Sequence, residues 1–194
     1  MPRTRMSKAD RREQLLEIAA DIVREGGTEQ LTLLTLAERA GVSKPITYNH
    51  FGDRQGLLLQ LYQGYDERLV QDVRTLAPGV DSSLKGLAHK LAVAYFKCTV
   101  RNGAVYDDIV AALCTYPEHR DLRTRIGQFF VAFYRELFAP VVELSPEQDS
   151  AALIAIYGAS DELARALTAG LVGEDQAVDT LTELIVRLLS PAPV

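Results

Sequence analysis

Cysteine is scarce in this chain of 194 residues: only Cys98 and Cys114 occur. They stand far apart with no metal-ligand spacing around them, so they read as buried thiols in a reducing compartment. No metal or other cofactor is expected. No run approaches the roughly 20 uninterrupted apolar residues that a bilayer span requires. The first dozen residues are basic, but no apolar stretch follows them, so they do not read as a secretory leader. These absences point to a soluble, cytoplasmic protein with no membrane partner. Alternating β-branched runs, internal repeats and low-complexity tracts are missing too, which leaves helix as the element throughout.

Hydrophobic residues make up 47% of the chain, enough for a sizeable core without disulfides or metals. The net charge of −5 argues at first against nucleic acid. Its distribution argues the other way. Residues 1–12 carry Arg3, Arg5, Lys8, Arg11 and Arg12 against Asp10 alone, whereas residues 57–194 carry 12 basic and 18 acidic groups. A basic tip on an acidic body suits docking at one end on phosphates. An ordinary solvated tail would have the same composition.

Start and stop signals divide the chain into nine helices. Ser7 can cap the first, whose stripe is Leu15, Ile18, Ala19, Ile22 and Val23, and Gly26-Gly27 ends it. Thr32 can cap a second, Leu33 to Ala40. Ser43 can cap a third, Lys44 to His50. Asp53 can cap a long fourth with Leu58, Leu61, Tyr62, Tyr65, Leu69 and Val73 inward, broken at Pro78-Gly79. Asp81 can cap a fifth, which Asn102-Gly103 breaks, and a sixth runs from about Val105 to Thr115. Pro117 suits the first turn of a seventh. Ser145-Pro146-Glu147-Gln148 has the pattern of a capped start for an eighth, running to about Gly170. The ninth starts near Asp175 and ends before Pro191.

The stretch from Thr32 to Leu58 carries the function. Two short helices joined by Gly41-Val42-Ser43 make a helix-turn-helix, with Gly41 able to take the positive φ of the turn. Read at 100° per residue, Thr47 and Phe51 share the core side of the third helix. The Thr47 hydroxyl can bond back to the Ser43 carbonyl. The opposite side then presents Pro45, Ile46 and Asn49, flanked by Tyr48 and His50, with Lys44 at the helix start. Asn can bond adenine edges, Ile and Pro can touch thymine methyls, and a positive helix start suits phosphate. Tyr48, His50, Thr32 and Arg54 are placed as phosphate donors around it. Exposed apolar residues on a short polar helix signal contact.

At these residues the chain resembles the tetracycline-repressor (TetR) family of transcriptional regulators. The likeness lies in Gly41-Val42-Ser43, then Tyr48-Asn49-His50-Phe51, Gly52-Asp53-Arg54 and Leu57-Leu58, and covers about the first 60 residues. It implies that the third helix enters the major groove, with phosphate contacts from Thr32, Ser43, Lys44, Tyr48, His50 and Arg54. Arg54 stands where such proteins more often have Lys. Thr47 stands where a larger aliphatic is common, which predicts slightly looser packing under the helix. The expected architecture is all-α in two parts: a DNA-binding head over residues 1–54 and a ligand-binding and dimerisation body over 55–194.

The body is read from its residues. Helices four to seven are rich in aromatics, and an aromatic-lined cavity with a few polar groups is what a small-molecule site looks like. Tyr62, Tyr65, Tyr95, Thr99, Tyr106, Asp108, Phe130, Phe133 and Tyr134 are the candidates, although each aromatic taken singly reads sooner as plain core than as pocket lining. His119 lacks ligand partners at helical spacing, and Asp107 and Asp108 diverge by 100°, so neither a metal site nor a paired-carboxylate enzyme is favoured. Small residues keep the eighth helix slim. The residues expected at a homodimer interface are Ala155, Gly158, Ala159, Glu162, Leu163 and Ala166, with Leu181, Ile185 and Leu188 from the ninth helix. The chain therefore reads as a dimeric repressor that binds double-stranded operator DNA and is released by a small-molecule effector, and not as an enzyme. The rival readings are an all-helical scaffold, or an enzyme built on Asp108, His119 and Arg123, whose helix-turn-helix does not bind DNA.

Overall fold

The computed structural model describes residues 6–75, 83–102, 105–145 and 149–190. Among the described residues the backbone forms nine α-helices and no strand. They are α1 (Lys8–Gly26), α2 (Leu33–Ala40), α3 (Lys44–Phe51), α4 (Arg54–Thr75), α5 (Leu84–Asn102), α6 (Val105–Cys114), α7 (Leu122–Phe138), α8 (Ser150–Thr168) and α9 (Glu174–Leu189). Two 3-10 turns, Thr28–Gln30 and Pro117–His119, complete the list of elements.

The expected caps hold at three helix starts. The Ser7 side chain accepts the Asp10 N–H at 3.0 Å. Thr32 and Thr35 form a reciprocal capping box at the start of α2. Asp53 Oδ1 accepts the Gly56 N–H at 2.7 Å and so caps α4. Gly41 follows α2 at φ +63°, and the next N–H, that of Val42, returns to the Ala37 carbonyl at 3.0 Å. That left-handed residue turns the chain from α2 into α3 without a Cβ in the way.

Other expected starts differ. Ser43 flanks α3 but makes no side-chain cap bond. Pro117 opens a 3-10 turn, and α7 begins only at Leu122. The turn is held by its side chains: Arg54 donates to the Tyr116 hydroxyl at 3.2 Å, and Gln55 Nε2 lies 3.1 Å from His119 Nε2. Pro78-Gly79, Asp81 and Gly103 lie outside the described residues, and Ser83 Oγ accepts the Gly86 N–H at 3.1 Å at the start of α5. Pro146, Glu147 and Gln148 also lie outside them. The eighth helix is first seen at Ser150 and ends at Thr168, short of Gly170.

The chain divides into two compact units, Met1–Asp66 with Ala104–Leu122, and Glu67–Gly103 with Arg123–Val194. In the first, Leu15, Ala19 and Val23 of α1, Leu33, Leu36 and Ala37 of α2, and Leu57, Leu58, Leu61 and Tyr65 of α4 are buried, with Ile109, Val110 and Leu113 of α6. These packing units do not follow the division at residue 54 expected by role, because the start of α4 and all of α6 cluster with the helix-turn-helix. The division by role stays a proposal.

In the second unit α5 packs chiefly against α9. Ala88 and Ala92 are fully buried on α5, where their small side chains allow close approach, and Leu91 and Phe96 fill the space beside them. From α9 come Ala177, Val178, Leu181, Ile185 and Leu189. This corrects one expectation. Leu181 and Ile185 are 0% exposed within the single chain, so they belong to its own core and are not available to a partner. The 3-4-3 spacing that marked the stripe does not distinguish a partner from α5; only its end, Leu188, is exposed.

Candidate DNA interface

Two buried side chains fix α3. Thr47 is 0% exposed and Phe51 is 4% exposed. The Thr47 hydroxyl lies 3.0 Å from the Leu33 carbonyl and 2.9 Å from that of Lys44. The expected bond to the Ser43 carbonyl is replaced by one that reaches the first turn of α2. This hydroxyl does what a larger aliphatic cannot, since it ties the two helices together through a polar bond inside the core. The expected looseness beneath α3 is answered by full burial of Thr47.

With that side inward, Lys44, Pro45, Tyr48 and Asn49 are exposed, while Ile46 and His50 are half-buried. Tyr48 is 53% exposed, which is unusual for a large aromatic that no partner covers. Ser43 is exposed at the start of α3, next to backbone N–H groups that have no helical acceptor. The Thr32 hydroxyl accepts the Thr35 N–H at 3.0 Å and also lies 3.0 Å from the Thr35 hydroxyl, so it is already paired in the first turn of α2. His50 is held below the ordinary imidazole range, first by burial and then by the charges of Lys8, Arg11 and Arg12.

Arg54 is engaged elsewhere. Its Nε donates to the Leu31 carbonyl at 2.9 Å, one terminal nitrogen to the Thr28 carbonyl at 2.7 Å and the other to the Tyr116 hydroxyl at 3.2 Å. The guanidinium thus organises the turn before α2, and a positioning role suits it better than a phosphate contact. Its partners are 23 to 62 positions away, and no local pattern signals them. Lys8 and Arg12, whose spacing of four places them on one helical face, stand beside His50 and Asn49 around a groove.

The nine expected ligand-binding residues fall into both units. In the first, Tyr65 is buried, Tyr62 and Tyr106 are half-buried and Asp108 is exposed. The Tyr106 hydroxyl donates to Asp66 at 2.9 Å, and its ring lies 6.1 Å from those of Tyr62 and Tyr65. In the second, Phe130, Phe133 and Tyr134 are buried, and Tyr95 and Thr99 are half-buried. Phe130 stacks on Tyr157 at 5.8 Å, and the Thr99 hydroxyl donates to the Tyr95 carbonyl at 3.0 Å. Burial pushes the Tyr134 phenol well above its ordinary range. On α8, Ala155, Gly158 and Glu162 are exposed, and Ala159, Leu163 and Ala166 are half-buried.

Residues 15–61 match the family described as "Bacterial regulatory proteins, tetR family". Over these residues the chain carries the N-terminal signature of the TetR family. The match covers the helix-turn-helix and its supports. The transcriptional activator FasR of Mycolicibacterium smegmatis is 37% identical over 70 residues, 36% of this chain and 32% of that protein. The transcriptional repressor KstR2 of Rhodococcus jostii is 32% identical over 76 residues, 39% of this chain and 37% of that one. The nucleoid occlusion factor SlmA of Shewanella woodyi is 26% identical over 123 residues, 63% and 61% respectively. In each case the chain spans less than two thirds of the relative's length. Solved structures extend the likeness of fold over nearly the whole chain. A TetR-like transcriptional regulator from Rhodococcus sp. RHA1 superposes with a TM-score of 0.70 at 20% identity, covering 94% of this chain and 97% of that one. A TetR/AcrR-family regulator from Thermobifida fusca gives 0.63 at 25% identity, over 91% and 97%.

Proposed function

We propose that this protein is a sequence-specific DNA-binding transcriptional regulator of the TetR family, a repressor released when a small molecule binds its C-terminal part. The observation that carries this reading is the division of α3: Thr47 and Phe51 are sealed in the core, whereas Pro45, Tyr48 and Asn49 face solvent. An outward face with an amide, a phenol and apolar side chains supplies base-edge bonds, a phosphate donor and thymine contacts. The match of residues 15–61 supports it, since the matched family is described as one of bacterial regulatory proteins. The named relatives include an activator, a repressor and a nucleoid occlusion factor, so a shared head fits several outputs. Repression is the output proposed for this chain.

The protein acts as a homodimer in this reading, with recognition helices about 34–36 Å apart to match one turn of the duplex. The α8 face bearing Ala155, Gly158, Ala159, Glu162, Leu163 and Ala166 supplies the contact, with Leu188 of α9. Within the second unit, Tyr95, Thr99, Phe130, Phe133 and Tyr134 are the residues proposed to supply the effector site. The effector then weakens DNA binding through its differential affinity for two tilts of α4, and DNA weakens effector binding by the same factor. A cytoplasmic location accords with this role; among the described residues no helix is long and apolar enough to cross a membrane.

Selection of bound duplexes from a random pool, followed by gel shift, tests the reading. The protein should enrich a two-fold symmetric sequence. Tyr48→Ala should weaken all duplexes alike, and Asn49→Ala should relax preference at one base pair per half-site at a cost of about 1–3 kcal/mol. Enrichment of no sequence, or unchanged affinity in Tyr48→Ala, would overturn it.

A further inference from the structure

Beside the outward face of α3, the first unit carries a groove of about 670 Å³. Lys8 and Arg12 of α1, Asn49 and His50 of α3, and Gln60 and Gln63 of α4 line it, with no carboxylate among the lining residues. Two like charges one helical turn apart repel each other, and an anion between them removes that cost. Arg12 is also aimed. Its Nε donates to Gln60 Oε1 at 2.8 Å, and Gln60 Nε2 donates to the His50 carbonyl at 3.2 Å. Gln60 therefore works at both ends: it anchors on the last turn of α3 and orients the guanidinium. With Nε so held, the planar fork presents its terminal amino groups in a set direction, the geometry that suits a phosphate. Asn49 belongs to both surfaces, so the groove adjoins the face of α3 proposed to read DNA.

We propose that the groove is a second backbone clamp, in which Arg12, positioned by Gln60 and helped by Lys8, binds a phosphate of the duplex beside the site of α3. The inference rests on the DNA-reading role proposed above and adds residues to it. The clamp is blind to sequence, because phosphates flank every base pair. It gives the basic start of an otherwise acidic chain a defined place at the interface.

Fluorescence anisotropy of a labelled 30-base-pair random-sequence duplex, titrated with the full chain across a salt series, tests it. Arg12→Ala should weaken binding several-fold and lower the log–log salt slope by about 0.9 for each protomer bound. Lys97→Ala, an exposed charge on α5, should leave the slope unchanged. Gln60→Ala removes no charge, so it should weaken binding at an unchanged slope and add nothing in the Arg12→Ala background. If wild type binds no duplex, the DNA-reading role itself fails. If wild type binds and Arg12→Ala keeps its slope, the clamp alone is overturned, whatever the affinity. Independent, additive losses from Arg12→Ala and Gln60→Ala would overturn the positioning role of Gln60. Coincident thermal midpoints for the variants exclude unfolding as the cause.

Discussion

The hydroxyl of Thr47 makes the one polar tether between α2 and α3 that lies wholly inside the packed residues of this head, and its loss can be isolated cleanly. Thr47→Val keeps the shape and removes the donor. The Leu33 and Lys44 carbonyls keep their places in helices, so the expected cost is that of one net hydrogen bond, about 1 kcal/mol. It should appear as a lower midpoint in urea with an unchanged slope. His50 offers a test in pH. Its folded pKa lies below the ordinary value because of burial and the Lys8, Arg11 and Arg12 charges. A histidine whose folded pKa is depressed favours the fold when neutral. Its contribution is therefore complete above the unfolded value of about 6.5 and is lost as pH falls through and below it. Stability against pH should fall less steeply below about 6.5 in His50→Gln than in wild type. A bound phosphate acts in the opposite sense by favouring the imidazolium. Wild type should gain more DNA affinity than His50→Gln on going from pH 8 to 6, and an equal gain would remove His50 from the interface.

Between α3 and α4 the backbone comes close enough to forbid a methyl group. A Cβ at Gly56 would stand 2.2 Å from the Phe51 carbonyl oxygen, a backbone atom that cannot swing aside. Gly→Ala within an open helix stabilises by roughly 0.5–1 kcal/mol. Gly56→Ala should do the reverse and destabilise by about 1–3 kcal/mol, because α3 and α4 must part. Chemical denaturation reads the sign directly. This contact shows the limit of what the sequence reveals. Asp53 as a cap, Gly41 as a turn and the inward pair Thr47 and Phe51 are local signals, and periodicity and capping chemistry made them legible. The path of the Thr47 bond to Leu33, the ties of Arg54 to Leu31, Thr28 and Tyr116, and the Gln60 link between α1 and α3 join positions remote in the chain. They follow from how helices dock, which no single segment encodes. Periodicity also locates the face of α9 without identifying what it faces, so Leu181 and Ile185 fit a partner as well as they fit the chain's own core, where they lie.

For the assembled molecule the separation of core from outer surface gives the dimer proposal a sharp test. Ile154 is 58% exposed on α8, and Gly158 one turn on has nothing within 4 Å of where a Cβ would stand. A single chain gains from filling such a position and loses nothing from a charge at such an exposed one. A two-fold interface built on this helix reacts in the opposite way, because a carboxylate at residue 154 meets apolar surface and must be desolvated. Leu181, sealed inside the single chain, provides the contrast. Leu181→Ala should lower folding stability by about 2–5 kcal/mol through a cavity. Its dimer dissociation constant should change little when measured well below the melting temperature. Ile154→Asp should keep the helical circular dichroism of the wild type and shift the sedimenting species from dimer to monomer. Because one protomer contacts a single half-site, that monomer should also lose its preference for symmetric duplexes over their isolated halves. Wild type sedimenting as a monomer at micromolar concentration, or Ile154→Asp remaining dimeric, would remove α8 from the interface and leave paired half-site binding without a physical basis in this helix.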